Sequence, residues 1–180
     1  GGGLPVGAFG SSAEVMSHLA PLGSVYQAGT LSGNPLATAA GLAVLSQLDA
    51  SAYDQLIATA TTLADGLRSA FGDAGVPAVV VQVGPLVGLF FVRWSGDPAP
   101  VDFATAAASV DLGRYPKWFH GMLDRGIALA PGPYEVLFPS LAHSESDIAH
   151  TIEAAAEVAV ELAGVAALAD AVESENGAAS

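Results

Sequence analysis

Downstream of residue 50, the apolar positions Leu56, Leu63, Leu67 and Phe71 recur at helical spacing with polar residues between them. Such a stripe predicts an amphipathic helix with one side in a core. Ser51-Ala52-Tyr53-Asp54 has capping-box spacing and predicts its start, and Gly75 and Pro77 predict its end. The period then changes. Residues 78–83 and 86–94 are β-branched and aromatic runs either side of Gly84-Pro85, which predicts an antiparallel pair of strands. Ser95-Gly96-Asp97-Pro98 reads as a turn, and residues 99–110 are ambiguous, a strand start followed by a loop or a weak helix. Helical spacing returns with Trp118, Phe119, Met122 and Leu123. This helix starts at Asp111, or later because Pro116 belongs in a first turn, and Gly126 closes it. Residues 127–130 and 136–139 read as short extended pieces around Pro131-Gly132-Pro133. Ser144 and Asp147 have capping-box spacing and open a last helix, with Ile148, Ile152, Ala155, Ala159 and Leu162 on one side, to about Gly164.

This order predicts an α+β unit, with helices on one face of a small, mostly antiparallel sheet. Residues 1–48 do not fit it. There a short strand over 4–9, a short helix capped by Ser11 or Ser12 and an Ala-rich apolar helix from Pro35 to about Leu48 read as the end of a neighbouring domain. The expected division is therefore 1–48, then 49–163. Residues 164–180, Ala-rich and acidic, are expected to be a disordered tail.

Composition narrows the function. Hydrophobic residues make up 52% of 180, enough for a core, although many are alanine. The formal net charge is -13, and the cations are Arg68, Arg93, Arg114, Lys117 and Arg125. Such a surface repels nucleic acid and anionic membranes, so neither is an expected partner. It also means that an anionic ligand must be held by backbone amides, helix ends or another chain. There is no cysteine, hence no disulfide or thiolate chemistry. His18, His120, His143 and His150 lack metal-ligand spacing, so no metal is expected. No signal peptide or membrane-spanning run is visible, and the expected location is the cytoplasm. The opening Gly1-Gly2-Gly3 without an initiator methionine reads as part of a longer protein.

Chemistry concentrates in Tyr26-Gln27-Ala28-Gly29-Thr30-Leu31-Ser32-Gly33-Asn34-Pro35. Glycines allow close backbone approach, Thr30 and Ser32 bring hydroxyls, and Asn34-Pro35 is a helix start. A turn of this kind feeding a helix N-terminus suits an anion. Taken alone, it is equally an ordinary loop capped by Asn-Pro.

Several stretches together resemble one family. They are residues 1–10, the loop 25–37 with its Gly-Thr-Leu-Ser-Gly-Asn-Pro core, the segment 118–131 with Trp118-Phe119-His120, and Phe138-Pro139-Ser140-Leu141-Ala142-His143-Ser144. The resemblance is to the glutamate-1-semialdehyde 2,1-aminomutases, enzymes of the class III aminotransferase group that use pyridoxal 5'-phosphate on fold type I. It covers about residues 1–163.

The resemblance implies an α/β enzyme. Residues 1–48 would end its large cofactor-binding domain, and 49–163 would form its small α+β domain. It implies an intramolecular amino transfer, through the pyridoxamine 5'-phosphate form, that converts glutamate 1-semialdehyde to 5-aminolevulinate for tetrapyrroles. The Schiff-base lysine of the family falls upstream of Gly1. Lys117, the one lysine present, does not match it, so no catalytic residue is expected in this chain and the chain alone is expected to be inactive. Gly29 and Thr30 would hold the cofactor phosphate of the neighbouring subunit in a homodimer. Glu135 would lie near the carboxylate of the small-molecule substrate, or else be an exposed turn carboxylate. Gln27 and Ser32 would support the loop. Two other readings stand beside this one: another class III aminotransferase, acting on an ω-amino acid or ornithine-like substrate, and a non-catalytic remnant.

Overall fold

The computed structural model of the chain describes residues 3–93 and 100–178, with side chains of the last helix described through residue 164. Trp94 and the expected turn at 95–98 lie outside the described residues. The chain divides into two compact units, Gly1–Ala52 and Tyr53–Ser180.

In the first unit, residues 4–9 form no strand. Pro5 has no N–H to give a ladder, and Gly7 adds no side chain to pack. The short helix α1 (Ala13–Met16) is capped by Ser12. Helix α2 (Pro35–Leu45) starts at Asn34 as the sequence predicts. It is apolar on every side, yet among its residues Ala37 alone is buried. Helix α3 (Ala50–Ala74) begins at the end of this unit. Its cap is Asp49, whose Oδ1 accepts from Ala52 N at 2.8 Å, rather than the expected Ser51.

The second unit holds an antiparallel sheet of β1 (Ala78–Val83), β2 (Leu86–Phe91) and β3 (Val136–Leu137), adjacent in that order. Val80 pairs with Leu89, and Val87 with both Gln82 and Leu137. Because side chains alternate along a strand, these residues share one face with Ala78 and Phe91. That face carries the core. Residues 127–130 join no ladder, so the strand expected there is absent. The ambiguous stretch contains α4 (Phe103–Ser109), set by a capping box between Asp102 and Thr105. Helix α5 (Arg114–Asp124) starts later than Asp111, with Pro116 in its first turn, and Gly126 closes it at φ 80°. Helix α6 (Glu145–Ala178) opens on the Ser144–Asp147 box and runs past Gly164, where the sequence reading ended it. Its continuation is rich in alanine, the residue of highest helix propensity.

Leu67 and Phe71 of α3, Val87 and Phe91 of β2, Trp118 and Met122 of α5, and Ala155 and Val158 of α6 belong to one buried cluster. Phe71 meets Phe91 edge-on with centroids 5.2 Å apart and meets Trp118 at 5.3 Å. Two arginines fasten the elements together. Arg68 of α3 donates from Nε and Nη2 to the Val80 carbonyl at 3.3 and 3.1 Å. Arg125, just after α5, pairs with Glu157 and Glu161 of α6 at 2.7 and 2.6 Å.

Candidate functional site: a glycine-rich turn and an uncharged groove

The stretch from Gly29 to Asn34 folds as two successive turns, with Ser32 N bonded to Gly29 O and Asn34 N to Leu31 O, each at 3.0 Å. Gly33 sits in the second turn at φ 71°, a conformation L side chains rarely adopt. A Cβ on Gly29 would lie 3.0 Å from Ser32 Oγ, so the first turn is also closely packed. Asn34 Oδ1 accepts from Leu36 N and Ala37 N at 3.1 Å each, and Thr38 N bonds Asn34 O at 2.9 Å. Pro35 has no N–H. The first amides of α2 are thus satisfied within the chain, and the expected offer of the helix N-terminus to an anion does not hold.

The free donors lie one turn earlier. Among the described residues, the N–H groups of Thr30, Leu31 and Gly33 and the Thr30 hydroxyl have no partner. They border a groove of about 890 Å³ lined by residues 5–9, Gln27 and residues 29–33. None of these lining residues is charged, in a chain with a net charge of -13. From residue 15 to residue 48 there is no carboxylate at all. A phosphate-sized anion would therefore meet backbone N–H groups and a hydroxyl without a repelling charge. The sequence singled out Gly29, Thr30, Gln27 and Ser32, and the structure brings them to one groove. It missed the contribution of residues 5–9, which line the same groove.

Glu135 belongs to the second unit. It is exposed, and its N–H bonds Gly132 O at 3.3 Å to close the turn that leads into β3. No ion pair of Glu135 occurs among the described residues. The residue the sequence did not single out here is Tyr115. Its ring is 4% exposed and its hydroxyl donates to Ala130 O at 2.8 Å. Burial, and then the negative charge of Glu135, push this phenol above its ordinary value. The helical spacing of Tyr115, Trp118 and Met122 is the signal that marks it as inward-facing.

The other motif residues serve packing. Trp118 and Met122 are core residues, while Lys117 and His120 are exposed. His143 Nδ1 accepts from Ser140 N at 3.0 Å and lies 2.9 Å from Ser140 Oγ, which fixes the turn before α6. Among the described residues no helix is long and apolar enough to cross a membrane.

This architecture and loop define a class of enzyme, and the chain belongs to the class-III aminotransferase family, whose model matches residues 1–158. Two relatives that it resembles in sequence carry one name. The chain is 51% identical over 156 residues to the glutamate-1-semialdehyde 2,1-aminomutase of Leptothrix cholodnii, covering 86% of this chain and 36% of that protein. It is 48% identical over 163 residues to the enzyme of the same name from Desulfosudis oleivorans, covering 90% and 37%. The chain thus spans little more than a third of the length of these relatives. Among solved structures, an omega-transaminase from Sphaerobacter thermophilus matches with a TM-score of 0.74 and 28% identity, over 91% of this chain and 36% of that one. A glutamate-1-semialdehyde aminomutase from Pseudomonas aeruginosa in complex with PMP matches at 0.66 and 23%, over 83% and 33%, a likeness of fold.

Proposed function

We propose that the chain is the C-terminal portion of a glutamate-1-semialdehyde 2,1-aminomutase, which converts glutamate 1-semialdehyde to 5-aminolevulinate for tetrapyrrole synthesis in the cytoplasm. The observation that carries the reading is the turn of free amides and the Thr30 hydroxyl on an uncharged groove, in a chain 51% identical to such an enzyme. In this reading residues 1–48 end the large domain, 49–163 form the small domain and 164–180 are a tail.

Bound pyridoxal 5'-phosphate, or its pyridoxamine form, supplies the electron sink and amino-group carrier for the exchange. This chain's part is to hold and to orient. Thr30 donates its hydroxyl and N–H to the phosphate, and Gly29 lets the backbone come close. The loop serves the neighbouring subunit of a homodimer. Glu135 orients the carboxylate end of the substrate. The proton-transferring lysine is not Lys117, which is exposed on α5, so this chain alone is inactive.

The test is turnover by the whole enzyme. Formation of 5-aminolevulinate from glutamate 1-semialdehyde with no added amino acceptor supports the reading. A strict need for 2-oxoglutarate or pyruvate would replace it with another class III aminotransferase. That second reading draws on the higher TM-score to the omega-transaminase.

A further inference from the structure

The segment that carries Glu135 is poorly held by its own backbone. Among the described residues, no N–H between Ile127 and Glu135 donates to a backbone carbonyl, and Pro131 and Pro133 have none to give. Leu129 packs against the core, and three further contacts fix the segment. At its entry the buried Tyr115 hydroxyl holds the Ala130 carbonyl at 2.8 Å. At its apex the Tyr134 ring meets Phe103 with centroids 5.8 Å apart. At its exit Val136 and Leu137 pair with Gly88 and Val87. The apex contact is a surface one, since Phe103 is 75% exposed, so it restrains little. The entry contact is inside the core. Tyr115 stands on α5 beside Phe91, centroids 6.5 Å apart, and cannot move without moving the cluster. The turn itself is compact, because a Cβ on Gly132 would lie 3.5 Å from Glu135 Cγ. A shift at Ala130 is therefore passed toward Glu135 through a short turn in which Pro131 and Pro133 have fixed φ.

We propose that Tyr115 is a positioning residue for Glu135: its phenol, bonded to the Ala130 carbonyl, sets where the Glu135 carboxylate stands for a carboxylate-bearing substrate. This rests on the reading of Glu135 as a substrate-site residue. A Tyr115→Phe change keeps the ring and its packing and removes only the hydrogen bond. A shell residue of this kind acts on binding geometry rather than on the reacting atoms.

The experiment uses the whole enzyme with cofactor and compares Tyr115→Phe, Glu135→Gln and the double variant. For Tyr115→Phe the expected result is a KM for glutamate 1-semialdehyde raised about three- to tenfold, the size of one lost hydrogen bond, with kcat nearly unchanged. Amide exchange across residues 129–137 should quicken in the same variant. Weakened binding of levulinate, the product without its amino group, should accompany it. The double variant should be no worse than the worse single one, because both changes disable one device. An unchanged KM in Tyr115→Phe beside a raised KM in Glu135→Gln overturns the positioning role and leaves Glu135 in place. So does simple additivity. An unchanged KM in Glu135→Gln removes Glu135 from the substrate site, and the Tyr115 proposal with it.

Discussion

Asn34 Oδ1 lies 3.1 Å from the amide nitrogen of Ala37 and thereby closes the end of α2 to any outside anion. The donors left for a phosphate are those of the preceding turn. Two substitutions separate these roles. Thr30→Val in the whole enzyme should weaken cofactor retention by about ten- to a hundredfold, the range of a hydrogen bond to a charged group, with little change in stability. Asn34→Ala should cost about 1 kcal/mol of stability through loss of the cap. Cofactor titration followed by absorbance, beside urea unfolding, distinguishes them. Equal cofactor affinity in Thr30→Val would count against the assignment of the loop.

Helices α3 and α6 approach closely at Gly66. A Cβ there would overlap the Ile152 side chain, with Cγ2 at 2.8 Å and two further atoms nearer still. Gly66→Ala should destabilise by up to about 2 kcal/mol, since overpacking of about 1–3 kcal/mol is offset in part by an alanine propensity gain of about 1 kcal/mol. Adding Ile152→Val should restore part of the loss. A Gly66→Ala variant as stable as the parent would show that Ile152 repacks freely.

The aromatic-His helix should divide sharply under substitution. Trp118 is 1% exposed and touches both Phe71 and Phe91, so Trp118→Ala should cost about 3–5 kcal/mol. His120→Ala, on the exposed side, should stay within about 0.5 kcal/mol. Thermal unfolding of the two variants checks the contrast.

Asp102 and Asp147 should make the protein weaker in acid. Hydrogen bonds from the Thr105 backbone and side chain hold the Asp102 carboxyl below its ordinary 3.8, and those from the Ser144 side chain and backbone do so for Asp147. A carboxyl depressed on folding contributes stability above pH 3.8, which is lost as pH falls through the folded value. Urea midpoints at pH 7 and pH 3 should therefore differ less in the Asp102→Asn/Asp147→Asn variant, since asparagine still caps but does not titrate.

Tyr115 acts at the other end of the scale. Its phenol is raised above 10.0, so its contribution is complete below pH 10 and is lost as pH rises through the folded value. Tyr115→Phe should lose less stability between pH 9 and pH 11 than the parent does, as read by denaturant midpoints.

Periodicity made the second unit readable because one face of each element is buried in a common core. The stripe through Leu63, Leu67 and Phe71, and the β1–β2 pair around Gly84-Pro85, follow from it. The start of α3 was harder, since Asp49 and Ser51 both fit a cap and geometry chose Asp49. Helix α4 stood only as one alternative, a weak helix, because the box of Asp102 and Thr105 precedes an Ala-rich run with no apolar stripe. At the candidate site, Gly29 and Thr30 were legible from residue type. That Asn34 occupies the α2 amides was not, because the same Asn-Pro signature starts helices whether or not their amides are left free. Tyr115 depends on a partner fifteen residues away, which no local pattern discloses.

The Arg68 guanidinium on the Val80 carbonyl has a consequence for association. Val80 lies on an edge strand of the sheet, and an unoccupied carbonyl there is what an incoming strand of another chain would pair with. With the guanidinium in place, such a strand must first displace this arginine of α3. The arginine that ties helix to sheet is thus also a guard against growth of the sheet beyond β1.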